Sequence, residues 1–164
     1  MGKKSAGLLL YRQSSGGDLE VLLVHPGGPF WRNKDEGAWT IPKGEFDDEE
    51  EPLAAAKREF EEELGAVPPQ GEYLALGPIK QKGGKTVFAW SAEGDFDPAE
   101  LKSNTFECEW PPRSGRTDQF PEVDRAEWLS PEMAKRKILA AQAPLIEELL
   151  ELLHARTHSI RNQS

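Results

Sequence analysis

Residues 44–66 read GEFDDEEEPLAAAKREFEEELGA. They constrain the fold because they spell one short helix with two incompatible faces. Each residue turns an α-helix by about 100°. Glu59, Glu62 and Glu63 stand at i, i+3 and i+4 and share a face. Leu53, Ala56, Phe60 and Leu64 form a second stripe, about 100° around by the same rotation. The apolar stripe can pack on a core while the acidic one looks into a cleft. Pro52 suits the first turn, where its missing N–H costs nothing. Gly65 suits the C-terminal cap, and Pro68-Pro69 prevent continuation. The spacing predicts a helix over 51–64.

Like charges at i,i+4 oppose a helix by a few tenths of a kcal/mol per pair. Glu59 and Glu63 are such a pair, with Glu62 beside them. Arg58 can reach Glu62 at i+4 and can lean toward Glu50. A bound divalent cation would be the larger compensation. Mg²⁺ favours carboxylate oxygens and takes phosphate oxygens as its remaining ligands. The plain alternative is an acidic, solvated helix face. The number of fixed positions that agree weighs against it.

Gly44, Glu50, Arg58, Glu59, Glu62, Glu63 and Gly65 fill every fixed position of the Nudix box, G-x5-E-x7-R-E-U-x-E-E-x-G-U, where U is bulky and apolar. Phe60 fills the first U, and Ala66 is small for the second. The segment therefore resembles the Nudix hydrolase family. The resemblance implies an α/β fold, the Nudix α/β/α sandwich with a mixed β-sheet between helices. It implies water attack on a pyrophosphate linkage in a nucleoside diphosphate derivative. It also implies Mg²⁺, with Mn²⁺ as a substitute, held by Glu59, Glu62 and Glu63, with the Gly44 carbonyl as a further ligand. Arg58 and Glu50 are implied to orient those ligands. The general base is a box glutamate in some members and an acid on a later loop in others. Glu122, just before the last expected strand, is the first candidate for that acid, and Glu127 the second. A nucleotide-sensing Nudix-like module without turnover is the rival reading. Such modules typically lose box carboxylates, and all are present here.

The rest of the chain is consistent with one domain over residues 1–155 and a polar tail from 156 to 164. A net charge of −9 argues against nonspecific binding to nucleic-acid backbones. Cys108 is the single cysteine, so no internal disulfide is available, which fits a cytoplasmic protein. No stretch approaches a membrane span. Lys3-Lys4 precede an apolar run too short for a signal peptide, and it reads as a first strand. Either a monomer or a homodimer is compatible with the sequence.

Apolar runs and turn signals predict strands at 5–11, 19–25, 39–41, 73–79, 86–92, 104–110 and 123–129. Residues 111–119 read as a polar loop. Helices are expected at 131–140 and 144–154. Phe30 and Trp31 lie in a Gly- and Pro-rich loop, where they can close on the core or stack on a base. Lys43 beside Gly44, and Lys80, Lys82 and Lys85 around Gly83-Gly84, are candidate phosphate-binding cations. Trp39-Thr40-Ile41-Pro42-Lys43-Gly44 resembles the W-x-x-P-K-G lead-in of some diadenosine polyphosphate and oxidised-nucleotide hydrolases in the family. The expected partner is thus a small nucleotide, favouring a diadenosine polyphosphate or an ordinary or oxidised nucleoside triphosphate.

Overall fold

Leu8, Leu9 and Leu10 are all buried, although neighbouring strand residues point to opposite faces. A strand of that kind has to be covered on both sides. The computed structural model, which describes residues 3–162, shows how this is done. In chain order the strands are β1 (Lys4–Gln13), β2 (Leu19–Pro26), β3 (Lys43–Glu45), β4 (Leu74–Lys80), β5 (Thr86–Glu93), β6 (Thr105–Glu109), β7 (Thr117–Pro121) and β8 (Val123–Leu129). The α-helices are α1 (Pro52–Leu64), α2 (Pro131–Lys137) and α3 (Ala143–Asn162). Six strands form one sheet in the order β4-β5-β1-β2-β8, with β3 attached to β1. The β1–β5 pair is parallel and the other pairs are antiparallel, so the sheet is mixed.

Two hydrophobic clusters lie on opposite faces of this sheet. Leu8 and Leu10 of β1 join Ala55, Ala56, Phe60 and Leu64 of α1. Leu9 and Tyr11 join Ala134 of α2 and Leu145, Ile146 and Leu149 of α3. The expected α/β/α sandwich is the observed architecture.

The backbone between β1 and β2 places the acidic helix. These two strands pair directly only at Tyr11–Gln13 with Leu19–Val21. Beyond that point residues 39–45 wedge between them. Thr40 bridges to Val24, and β3 pairs with Ser5–Gly7. The expected strand at 39–41 is therefore reduced to isolated bridges, and the regular strand is Lys43–Glu45, which reads as a turn in the sequence. Trp39 is held from the other side: its N–H donates to the Lys137 carbonyl at 3.0 Å, and Leu139 N–H donates to the Trp39 carbonyl at 2.8 Å. That exchange ends α2 at Lys137 rather than at 140. The helix expected at 144–154 continues to Asn162.

The strand expected at 104–110 exists as β6, but it does not enter the main sheet. It pairs with β7 in a two-stranded ribbon, with Phe106 opposite Phe120. Part of β7 occupies the segment expected as polar loop. Among the described residues no helix is long and apolar enough to cross a membrane.

Candidate active site

The apolar stripe of α1 anchors the helix, and its acidic stripe lies beside β3. Arg58 sits at the centre of that stripe. Its Nε and Nη2 donate to the two carboxylate oxygens of Glu50 at 2.8 and 2.9 Å. Its Nη1 donates to Glu59 at 2.8 Å and to both oxygens of Glu62 at 3.2 Å. One guanidinium thus gathers three carboxylates, a task its planar fork suits and a lysine could not copy. These bonds, Glu50 first, push the Arg58 guanidinium further up from its ordinary value.

Glu63 faces the other way, accepting the Lys43 N–H at 3.2 Å. Burial raises its carboxyl to about 8. Glu59 and Glu122 add to that rise, while the Lys43 charge and N–H oppose it. Glu59 is 8% exposed, and burial raises it too, against the pull of Arg58. Glu122 is raised by burial and then by Glu62. Burial also draws the Lys43 ammonium down, helped by Lys85 and opposed by Glu63 and Glu45. Glu59, Glu63 and Glu122 therefore hold protons more tightly than in water. Gly44 is required by space: a Cβ at this position would fall on the Glu59 carboxyl. Gly65 caps α1 in the left-handed region, φ 73°, with its N–H donating to the Glu61 carbonyl.

The donor set fits a hard divalent cation. It offers carboxylate oxygens from one helix face beside a backbone that approaches without a side chain. Among the described residues no three acidic, histidine or cysteine side chains yet converge on one point. The hydrogen bonds explain this, since Arg58 draws Glu59 and Glu62 aside and Lys43 holds Glu63.

Of the acidic face, Glu63 lines a cleft with two lobes, and Glu59 and Glu62 line neither lobe. A polar lobe of about 420 Å³ is lined by Lys43, Glu63, Gln81 and Glu122, with Thr40 and Trp31 among its walls. An apolar lobe of about 490 Å³ is lined by Phe30, Trp31, Phe106, Cys108, Trp110 and Glu122, among others. Pro26, Trp31 and Glu122 border both. The structure thus brings Lys43, Glu63 and Glu122 together at one cleft. Glu127 lies within β8 opposite Leu23 and does not line it. Lys82 is exposed on the β4–β5 turn, and Lys85 lies 3.9 Å from Glu45. The residue of that turn that reaches the polar lobe is Gln81, which has no charge to draw attention in a sequence. The ribbon aromatics Phe106 and Trp110 were equally hidden, because alternation in one strand does not say which surface it covers.

A mixed sheet between helices, with an acidic helix face packed against a glycine-bearing strand at a two-lobed cleft, defines a class of protein. The chain belongs to the NUDIX family, whose domain profile matches residues 1–149. A relative from Mycolicibacterium smegmatis, an 8-oxo-(d)GTP phosphatase, is 35% identical over 135 residues. That match covers 74% of this chain and 38% of the relative, so the chain spans well under half of the relative's length. Among solved structures, a binary complex of the C. elegans Ap4A hydrolase is 26% identical with a TM-score of 0.60, covering 93% of this chain and 98% of that one. The NUDIX domain of Shewanella oneidensis NrtR, complexed with ADP ribose, is 21% identical with a TM-score of 0.59, covering 93% and 89%.

Proposed function

We propose that this chain is a Mg²⁺-dependent pyrophosphohydrolase of nucleoside polyphosphates, with an oxidised or ordinary nucleoside triphosphate or a diadenosine polyphosphate as substrate. The observation that carries the reading is the set of carboxylates on one face of α1, held by Arg58 and by the Lys43 N–H, with Glu63 lining a cleft that has one polar and one apolar lobe. The names of the M. smegmatis and C. elegans relatives support the substrate class.

Glu59, Glu62 and Glu63, with the Gly44 carbonyl, would hold the cation, and Arg58 and Glu50 would keep those carboxylates in place. The ion, when bound, neutralises charge on phosphate oxygens and makes a bound water more acidic. Lys43 balances the phosphate charge from the polar lobe. The base lies against Trp31 and the ribbon aromatics, which offer flat apolar surface. In the reaction a water oxygen bonds to phosphorus and the bridging P–O bond breaks. The water proton passes to Glu122, whose affinity for a proton is raised by burial and by the neighbouring Glu62.

The test is hydrolysis of diadenosine tetraphosphate, 8-oxo-dGTP, dGTP, ADP-ribose and NADH with and without Mg²⁺, products identified by mass. Glu62→Gln is the control, and it should lose most turnover while melting like the parent. Metal-dependent cleavage absent from that variant is the expected result. Nucleotide binding without cleavage of any panel member would replace the hydrolase reading with that of a sensing module.

A further inference from the structure

Gln81 lines the polar lobe and is hydrogen-bonded to a second, buried glutamine, so that their orientations determine one another. Gln142, in the turn between α2 and α3, is fully buried. Its Oε1 accepts the Ile41 N–H at 3.1 Å. A backbone N–H can only donate, so this bond decides which end of the amide is oxygen. The amide nitrogen of Gln142 therefore faces Gln81, and it donates to Gln81 Oε1 at 3.3 Å. Gln81 in turn has to present its own oxygen to Gln142. Its Nε2, carrying two N–H donors, is the end left over, and it has no protein acceptor among the described residues. Gln81 is also held through its backbone, donating to the Lys85 carbonyl at 2.8 Å. It lines the same lobe as Lys43 and Glu63.

We infer that Gln81 contacts the substrate, donating from Nε2 to an oxygen of the phosphate chain, and that Gln142 is the buried positioning residue that turns this donor outward. This rests on the reading of the polar lobe as the polyphosphate site. Phosphate oxygens only accept hydrogen bonds, so an amide presenting its nitrogen suits them and one presenting its oxygen repels them. The relay also ties three chain segments together. Ile41 stands two residues before Lys43, so the bond that orients Gln81 is made to the segment that leads into β3, which carries Lys43 and Gly44.

The test uses two substitutions that change the exposed atom without changing side-chain size. Gln81→Glu keeps an oxygen for Gln142 but replaces the outward donor by a carboxylate oxygen. Gln142→Glu keeps an acceptor for Ile41 and turns its second oxygen to Gln81, which then has to flip and show its oxygen to the cleft. Each should raise KM about tenfold or more, the scale of one hydrogen bond to a charged group, with a smaller change in kcat. Titration of the ¹⁵N-labelled protein with inorganic pyrophosphate gives a readout independent of turnover. The Gln81 side-chain NH₂ resonance should shift in the parent, and pyrophosphate should bind Gln81→Glu about tenfold more weakly. If Gln142→Glu does not fold, Gln81→Glu and the titration decide alone. An unmoved Gln81 resonance with equal pyrophosphate affinity in Gln81→Glu overturns the inference. Normal pyrophosphate binding by a parent that cleaves no nucleotide would spare it and sink the hydrolase reading instead.

Discussion

At Gly44 the site depends on an absent side chain. The Glu59 carboxyl occupies the volume that a Cβ would take. Gly44→Ala should swing Glu59 away and weaken divalent-ion affinity by about 10–100-fold, the range seen when the support of a metal ligand is lost. Calorimetric titration with Mn²⁺ checks this, and unaltered affinity would mean that Glu59 is not a ligand. Glu122 makes a separate prediction because it borders both lobes. Glu122→Gln keeps the shape and removes the base. Turnover should fall about 10²–10⁴-fold, the usual worth of a positioned general base, while KM changes little. Parental kcat would reject Glu122 as the base.

At the scale of an element, α1 is a helix that stores unfavourable charge. Glu63 is raised to about 8 from the ordinary 4.5. Between those values the folded chain binds more protons than the unfolded one, so stability falls as pH rises through that window. Glu59 and Glu122 are raised as well and act in the same sense. With a chelator present, melting temperature should drop by several degrees from pH 5 to pH 8, and Glu63→Gln should flatten that slope. Mg²⁺ should restore stability most at the alkaline end, where the carboxylates are already ionised. A metal-free melting temperature that rises over the same range would refute the account.

The helix was legible in the sequence because its caps, its apolar stripe and its acidic offsets are all local. The strand at β8 was legible for a similar reason, ending on Leu129 as its apolar pattern does. The failures are non-local. Residues 39–45 look like a strand and then a turn, yet their regular part is Lys43–Glu45, because β1 and β2 splay and need a partner there. α2 stops early because Trp39 takes its last carbonyl, a bond between segments far apart in the chain. Gln81 and Gln142 went unseen for the same reason, since only their meeting in space gives either a direction.

Over the whole molecule, the sheet with α1 supplies the polyphosphate end of the cleft, and the β6–β7 ribbon supplies much of the apolar end. The ribbon has closed feet. Glu122 N–H donates to the Asn104 carbonyl at 2.8 Å, and Gly27 N–H donates to the Glu122 carbonyl at 2.9 Å. Residues 105–121 can therefore be replaced by a short glycine-containing turn without opening the main sheet, whose strands they do not join. The shortened chain should keep the Mg²⁺-dependent rise in melting temperature, because the carboxylates of α1 remain. Its KM for a nucleotide should rise about tenfold or more, since base stacking on aromatic side chains is worth about 1–3 kcal/mol. Affinity for inorganic pyrophosphate should stay close to the parent's, as Lys43, Glu63 and Gln81 lie outside the ribbon. Equal losses for nucleotide and pyrophosphate would place the base elsewhere and reduce the apolar lobe to a packing feature of the ribbon.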